Sequence, residues 1–188
     1  MSQATIKIPS ELFALAESSR FEGTLELPVL SAGPDDYAFA KPIDWEVDVT
    51  NTGSAFLIAG TARGSATVAC SRCLDEVAYD LEGDVEGYFL IEDAADDGFD
   101  DEDDEVLADE FDVLPADHVI DLEPLICAAL MVDAPNMPLC RDDCAGLCPT
   151  CGANLNEGDC GCGRDGALDD FDREANPFAV LANFKFDE

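Results

Sequence analysis

Eight of the nine cysteines in the sequence form four closely spaced pairs. Two thiolates a few residues apart can bind one side of a metal ion, and two such pairs complete a tetrahedral set of ligands. All-thiolate sets select Zn²⁺ or iron–sulfur clusters over Mg²⁺ or Ca²⁺. The spacing therefore predicts structural zinc, with an iron–sulfur cluster and metal-free redox thiols as alternatives. The pairs are Cys70 and Cys73, Cys140 and Cys144, Cys148 and Cys151, and Cys160 and Cys162.

The four pairs can be divided between metal ions in two ways. The preferred division has two Zn²⁺ ions, one bound by Cys70, Cys73, Cys140 and Cys144 and the other by Cys148, Cys151, Cys160 and Cys162. The first site would clamp the β-rich half to the segment that leaves a predicted helix, and the second would close a local ribbon. In the alternative, CSRC and CPTCG share one ribbon-like site and the other four cysteines are partly spare. The short Cys160-x-Cys162 spacing is the weak point of the preferred division.

Local sequence around the cysteines supports metal binding and offers little for catalysis. Gly152, directly after Cys151, permits the tight turn in which backbone N–H groups point at sulfur. The single histidine, His118, lacks the His-x-Glu context of a zinc deaminase. No glycine-rich phosphate-binding loop is present, and all-cysteine sites leave no position open for a substrate. We therefore expect a protein that is not an enzyme.

The charge of the chain restricts its partners. Nine Lys and Arg against 43 Asp and Glu give a net charge of −34. Nucleic-acid affinity depends on Lys and Arg that neutralise phosphates, so we expect no DNA binding, no membrane docking and at most weak contact with RNA. A basic protein partner is favoured, although an acidic, salt-adapted proteome would give the same charge. The arginines closest to the cysteine pairs, which metal binding could gather into one small patch, are Arg63, Arg72, Arg141 and Arg164.

The pattern of apolar residues predicts an α+β fold. We expect a β-rich antiparallel meander or partly open barrel with a few short helices, plus a C-terminal zinc-ribbon-like module. Strands are predicted over 5–8, 21–27, 45–50 and 54–62, followed by a bend at Arg63-Gly64 into SATVAC and one or two strands over 77–91. A turn is predicted at Asn51-Thr52-Gly53. The segment ELFALAES after Ser10 is predicted to be a helix with Leu12, Leu15 and Ala16 on one side.

A second helix is predicted in LEPLICAALMVD, with Asp121 as its cap and Pro124 in its first turn. Cys127 falls inside it and is interpreted as a small core residue. A short C-terminal helix is predicted after Asn176. The predicted organisation is a β-rich core with an N-terminal helix (1–91), an acidic disordered insertion (92–112), a helix completing the core (113–135), a cysteine-rich zinc module (136–164) and a tail with a short helix (165–188).

The order of motifs resembles a known family. IKIP opens the chain, CSRCL follows a β-rich half, and IDLEPLI leads through prolines into CRDDCAGLCPTCGANLNEGDCGC and the final NPFAVLANF. This sequence resembles the YceD-like family, the large ribosomal RNA subunit accumulation proteins. The resemblance implies a bacterial cytoplasmic protein of ribosome biogenesis, often encoded beside a large-subunit ribosomal protein. Some relatives carry only one of the two cysteine groups, which favours two separable metal sites.

Two functions are weighed on this basis. The first is a noncatalytic zinc-binding factor in large ribosomal subunit biogenesis that supports rRNA accumulation through a basic ribosomal protein. The alternative is a redox- or zinc-responsive thiolate protein that releases metal on oxidation. The N-terminus lacks the basic start and apolar stretch of a signal peptide, and the longest apolar run, LICAALMV, is too short to span a bilayer. We therefore expect a cytoplasmic location.

Overall fold

A computed structural model describes residues 4–91 and 112–162 of the chain. These residues divide into two compact units, within Met1–Cys140 and within Arg141–Glu188. The elements are β1 (Thr5–Lys7), a 3-10 turn (Ser10–Phe13), β2 (Ser18–Leu25), β3 (Val29–Ala32), β4 (Asp35–Phe39), β5 (Ile43–Asn51), β6 (Ala55–Ala69), β7 (Glu76–Leu90), β8 (Asp112–Val113), β9 (Val119–Asp121) and α1 (Glu123–Asp133). The predicted acidic insertion up to residue 111 and the predicted C-terminal helix lie outside the described residues.

The first unit contains an open seven-stranded sheet with β6 at its centre. β7 pairs with the whole length of β6, from Ala55↔Leu90 to Ala69↔Glu76. Along its other edge β6 pairs first with β5 and then with β4. Because β5, β6 and β7 are consecutive in the chain and adjacent in the sheet, the predicted antiparallel meander is confirmed. A separate two-stranded sheet joins β1 to β9.

The bend predicted at Arg63-Gly64 is wrong, because β6 runs through both residues as one 15-residue strand. A Cβ on Gly64 would lie 2.8 Å from the Phe39 ring and 3.0 Å from the Ile43 side chain. The glycine is therefore required for close packing, at the point where β6 changes its neighbour from β5 to β4. The segment after CSRCLD likewise forms one strand, β7.

The predicted N-terminal helix is also wrong, because the segment after Pro9 forms only a 3-10 turn. A further helical turn would require the Ala16 N–H to bond to the Leu12 carbonyl. Instead that carbonyl accepts a hydrogen bond from Asn51 Nδ2 at 2.9 Å, and the Ala16 N–H donates to the Asn51 carbonyl at 3.0 Å. Leu12 is buried, whereas Leu15 is 72% exposed. The buried Asn51 thus takes both of the groups that would continue the helix.

The helix α1 packs on β7, close to its predicted position. The N-cap is Leu122 rather than the predicted Asp121, although the Asp121 side chain accepts a hydrogen bond from the Glu123 N–H at 3.0 Å. The predicted proline lies in the first turn. A Cβ on Gly83 would lie 2.4 Å from the Ala129 carbonyl, so the helix backbone touches the strand. Cys127 is half-buried against the core, in agreement with its interpretation as a packing residue. Within the described ranges no helix is long and apolar enough to cross a bilayer.

Two tyrosines of the sheet hold the segment that follows α1. The Tyr37 hydroxyl donates a hydrogen bond to the Pro135 carbonyl at 2.9 Å. The Tyr79 hydroxyl donates to the Leu139 carbonyl at 2.8 Å and accepts from the Leu139 N–H at 2.9 Å. Both polar groups of Leu139 are therefore satisfied by one side chain of β7. Because Leu139 precedes Cys140, Tyr79 fixes the backbone next to a predicted metal ligand.

We predict that Tyr79→Phe destabilises the first unit by about 1–3 kcal/mol, because it leaves two half-buried backbone groups without a partner. Tyr37→Phe removes one hydrogen bond and is the matched comparison, with an expected cost of about 1 kcal/mol. Denaturant unfolding followed by the fluorescence of Trp45, the only tryptophan, measures both. A cost for Tyr79→Phe no greater than that for Tyr37→Phe would contradict the role given to the Leu139 contacts.

Candidate metal centres

The structure brings the eight predicted cysteines together in two groups of four. In each group the Sγ atoms lie within 4.8 Å of one another. Thiolates bound to one Zn²⁺ at about 2.3 Å stand about 3.8 Å apart, so only a small movement separates each group from a closed four-ligand site. The grouping is the one that the preferred division predicts, and it places both members of the short Cys160-x-Cys162 pair together. The first group is Cys70, Cys73, Cys140 and Cys144; the second group is Cys148, Cys151, Cys160 and Cys162.

The first group begins with a tight turn at the end of β6. The Leu74 N–H donates to the Cys70 carbonyl at 2.9 Å, and the Cys70 N–H donates to the Asp75 carbonyl at 2.8 Å. Leu74 closes this turn with a φ of 64°, in the left-handed region that residues with a Cβ rarely adopt. The turn also reverses the chain into β7, so the geometry of the sheet fixes the position of Cys70 and Cys73.

The turn at CPTCG in the second group has the same hydrogen-bonding pattern. The Gly152 N–H donates to the Cys148 carbonyl at 2.8 Å, and the Cys148 N–H donates to the Ala153 carbonyl at 2.8 Å. Gly152 has a φ of 73°, and a Cβ there would meet nothing within 4 Å. The backbone conformation rather than lack of space thus requires glycine, which agrees with the role predicted for Gly152. An antiparallel bridge between Leu147 and Asn154 closes the base of the turn.

Cys140 reaches the first group through the segment that the tyrosines hold. The Ser71 N–H donates to the Pro138 carbonyl at 2.8 Å, which ties this segment to the turn after β6. The Cys140 N–H donates to Cys70 Sγ at 3.4 Å, and the Sγ atoms of Cys73 and Cys140 are 3.6 Å apart. Cys140 is therefore in hydrogen-bond contact with two cysteines that lie 67 and 70 positions before it in the chain.

The thiols of the first group have divergent acidities. Burial raises the pKa of Cys70, but the backbone N–H groups of Cys73, Arg72 and Cys140 outweigh it and lower that pKa to about 6. The pKa of Cys73 is raised, because burial, the Asp75 carboxylate and the neighbouring thiols outweigh a backbone N–H bond from Asp75. The Cys73 thiol accordingly donates to Asp75 Oδ2 at 3.2 Å. One thiolate is thus stabilised by amides while a neighbour keeps its proton.

The second group shows the same division. Backbone N–H groups of Cys151 and Thr150 lower the pKa of Cys148 to about 6. The side chains of Cys151 and Cys160 raise the pKa of Cys162 to about 12. A divalent cation placed among four such thiols would release the remaining protons, so metal affinity would fall as the pH is lowered. The ring of His118 packs against Phe13, with the two ring centroids 4.9 Å apart.

The arginines suggested as a basic patch have other partners where the structure describes them. Arg63 pairs with Glu82 at 2.7 Å on the large sheet. Arg141 donates to Asn156 Oδ1 at 2.6 Å and lies 3.4 Å from an Asp143 carboxylate oxygen. Arg164 lies outside the described residues. Arg63 and Arg141 therefore supply little free positive charge near the cysteines.

Two residues that support the cysteines are absent from the sequence-based prediction. Tyr79 lies 60 positions from its partner Leu139, and no local pattern indicates that contact. Asn156 donates from Nδ2 to Cys144 Sγ at 3.3 Å. It belongs to the GANLN motif that marks the family resemblance, so the sequence carries a signal for Asn156 but none for its contact with Cys144.

Comparisons with known proteins give relatives in mycobacteria. Uncharacterized proteins of Mycobacterium tuberculosis (strain H37Rv) and Mycobacterium bovis are each 32% identical over 113 residues, covering 60% of this chain and 51% of theirs. An uncharacterized protein of Mycobacterium leprae is 30% identical over 133 residues, covering 70% of this chain and 54% of its own. This chain thus spans about half the length of the curated relatives it matches. No solved structure matches significantly.

The family comparison covers both cysteine groups. A family model described as large ribosomal RNA subunit accumulation protein YceD matches residues 58–185, which is more than half of the chain and runs from β6 through the second group. Of the motifs that carry the resemblance, those from CSRCL to NPFAVLANF fall inside this range, whereas IKIP lies before it. The chain therefore belongs to the YceD family of large ribosomal RNA subunit accumulation proteins.

Proposed function

We propose that this protein is a noncatalytic zinc-binding factor in large ribosomal subunit biogenesis, which supports accumulation of large-subunit rRNA through a basic ribosomal protein. The observation that carries the proposal is the pair of four-cysteine groups within the region that matches the family. Closed four-thiolate sites are typical of structural zinc. The protein would then serve as a metal-stabilised scaffold that recognises a partner.

Zinc at the two groups would have different structural effects. At the first group it would link Cys70 and Cys73, at the end of β6, to Cys140 after α1, and so close a loop of about seventy residues. At the second group it would hold only the local chain around the CPTCG turn. Zinc supplies a redox-inert crosslink at such sites. The residues that set its position are those that hold the turns, above all Leu74 and Gly152.

The redox-responsive alternative finds partial support in the low pKa of Cys70 and Cys148. A redox sensor needs a thiolate that is both acidic and accessible to oxidant. Cys70 has no exposed surface and Cys148 is 7% exposed, so the two acidic thiols are also shielded. We therefore favour structural zinc. Measuring the zinc content after treatment with mild peroxide distinguishes the two functions. Full retention of zinc supports a structural role, and early release of zinc supports the redox-responsive alternative.

A basic partner is supported by the outer face of the large sheet. Residues that pair directly across neighbouring strands point to the same side of a sheet. Across β5, β6 and β7 the outward rows are Asp44–Arg63–Glu82, Glu46–Thr61–Asp84 and Asp48–Ala59–Glu86. A cleft of about 420 Å³ lies among outward residues of this face, including Glu22 and Thr24. Its charge would attract a Lys- and Arg-rich protein and repel RNA.

We predict that the purified, reduced protein holds two Zn²⁺ ions per chain and shows no visible absorption from an iron–sulfur cluster, because its two groups offer four thiols each. Metal analysis with a thiol titration measures this. Fewer than about 0.5 Zn²⁺ per chain would contradict structural zinc, since such sites bind tightly at neutral pH.

We predict that the two groups stabilise different parts of the chain. Cys70→Ser should lower the midpoint of unfolding reported by Trp45, because the first group links β6 to the segment after α1. Cys148→Ser should lower that midpoint less than Cys70→Ser does, and should increase hydrogen exchange mainly in residues after Arg141. Cys127→Ser is the control for loss of a thiol outside both groups. Equal shifts for Cys70→Ser and Cys148→Ser would argue against two separable sites.

We predict that the protein associates with a basic large-subunit ribosomal protein and binds naked large-subunit RNA only weakly. Deletion of residues 92–112, and separately Asp48→Asn with Glu86→Gln, should slow association and flatten its dependence on salt, without changing zinc content. Stopped-flow mixing at several salt concentrations measures the rates.

Glu11→Gln with Glu17→Gln is the matched control, because it removes the same charge from exposed residues outside the large sheet. Comparison of the deletion with the sheet variant shows which acidic region receives the partner. Tight binding to naked RNA at physiological salt would overturn the charge argument. An unchanged ratio of large- to small-subunit rRNA in cells that lack the protein would overturn the proposed function itself.

A further inference from the structure

The side chain of Asn156 uses all of its hydrogen-bonding capacity in the second unit. Oδ1 accepts from Arg141 Nη2 at 2.6 Å and from the Ala145 N–H at 2.8 Å. Nδ2 donates to Asn154 Oδ1 at 2.8 Å and to Cys144 Sγ at 3.3 Å. One half-buried amide thus contacts the backbone, an arginine, a second asparagine and a thiol. Such convergence fixes the side chain in a single orientation.

The orientation of the amide follows from its partners. A backbone N–H and a guanidinium can only donate, so the atom that faces Ala145 and Arg141 must be the carbonyl oxygen. The NH₂ group is then directed at Cys144. A hydrogen bond of this kind orients a metal ligand from outside the metal site. Asn156 therefore holds the Cys144 sulfur in a defined position.

Asn156 belongs by sequence to one cysteine group and by contact to the other. It lies in the loop between Cys151 and Cys160, two members of the second group, whereas Cys144 is a member of the first. Metal bound by the second group would fix both ends of this loop. The loop holds its shape through the Asn156 N–H, which donates to Asn154 Oδ1 at 3.0 Å.

We propose that Asn156 is a positioning residue that couples the two metal sites: loading of the second group orders the loop, and Asn156 then strengthens metal binding by the first group through Cys144. This inference rests on the proposed zinc binding and adds to it a defined order of loading. Outer hydrogen bonds to metal ligands typically change affinity by roughly 10–100-fold. Reciprocity requires that metal in the first group also strengthens the second.

The test measures metal affinity at each group in the full chain. Cadmium-113 NMR distinguishes the two sites, and Cys148→Ser identifies the resonance of the first group. Chelator competition then gives the affinity of the first group in the wild type and in Asn156→Ala. We expect Asn156→Ala to weaken the first group roughly tenfold or more. Glu157→Ala, an exposed substitution in the same loop, is the control and should have no effect.

Asn156→Asp separates positioning of the thiolate from simple support of the loop. It keeps the acceptor for Ala145 and Arg141 but directs a carboxylate oxygen at Cys144, so we expect it to weaken the first group at least as much as Asn156→Ala. If the site depended only on the hydrogen bonds that Oδ1 accepts from Ala145 and Arg141, the affinity of Asn156→Asp would stay close to that of the wild type. The amide signals of the β6–β7 region show that each variant is folded.

Coupling is tested by combining Asn156→Ala with Cys148→Ser. If the second group acts through Asn156, the effect of Asn156→Ala on the first group falls below about twofold once the second group is broken. The same effect in both backgrounds would overturn the coupling, and no effect in the intact chain would overturn the role of Asn156. If the wild type binds no metal at either group, the proposed zinc binding is wrong as well. If the wild type binds metal at both groups and Asn156→Ala has no effect, only the role of Asn156 is wrong.

Discussion

Four thiols held within 4.8 Å of one another cannot all ionise unless a cation lies among them. This electrostatic constraint governs both cysteine groups, because in each of them one member has a pKa lowered to about 6 while another has a raised pKa. Backbone N–H groups can stabilise a single thiolate but cannot offset four charges. The fold therefore brings together two groups of thiols that could each hold a metal ion, and the surrounding hydrogen bonds keep the sulfur atoms close together.

The two tight turns require the same left-handed backbone conformation, and different residues adopt it. In each turn the residue after the second cysteine adopts a positive φ, and its N–H donates to the carbonyl of the first cysteine. Gly152 adopts this conformation without strain, as expected for a turn in a small unit with little surrounding structure. Leu74 adopts it at a cost, and it can do so because β6 and β7, which pair over 15 residues, fix both ends of the turn. The pairing of β6 with β7 thus permits a non-glycine residue at this position of the turn.

The sequence alone predicted the cysteine grouping, the β5–β6–β7 meander and α1, because spacing, alternation and helical periodicity are local signals. It wrongly predicted an N-terminal helix where only a 3-10 turn forms, because Asn51 binds the Leu12 carbonyl from 39 positions away. Gly64 suggested a bend, although its role is to admit the Phe39 ring from another strand. Both errors have one physical cause: a local preference of about 1 kcal/mol is overridden by a buried tertiary contact that has no local signature.

The contacts around the cysteines also differ in how far apart in the chain their partners lie, and this difference affects the order in which the sites can form. Tyr79 aligns the residue before Cys140 across 60 positions, so the first group can assemble only when β7 and the segment after α1 have come together. Asn156 contacts Cys144 across 12 positions, and the whole second group lies within the chain from Cys148 to Cys162. Closing a short loop costs less entropy than closing a long one. The second group can therefore form before the large sheet is complete, and the loop that carries Asn156 is then in place when Cys144 meets the rest of the first group.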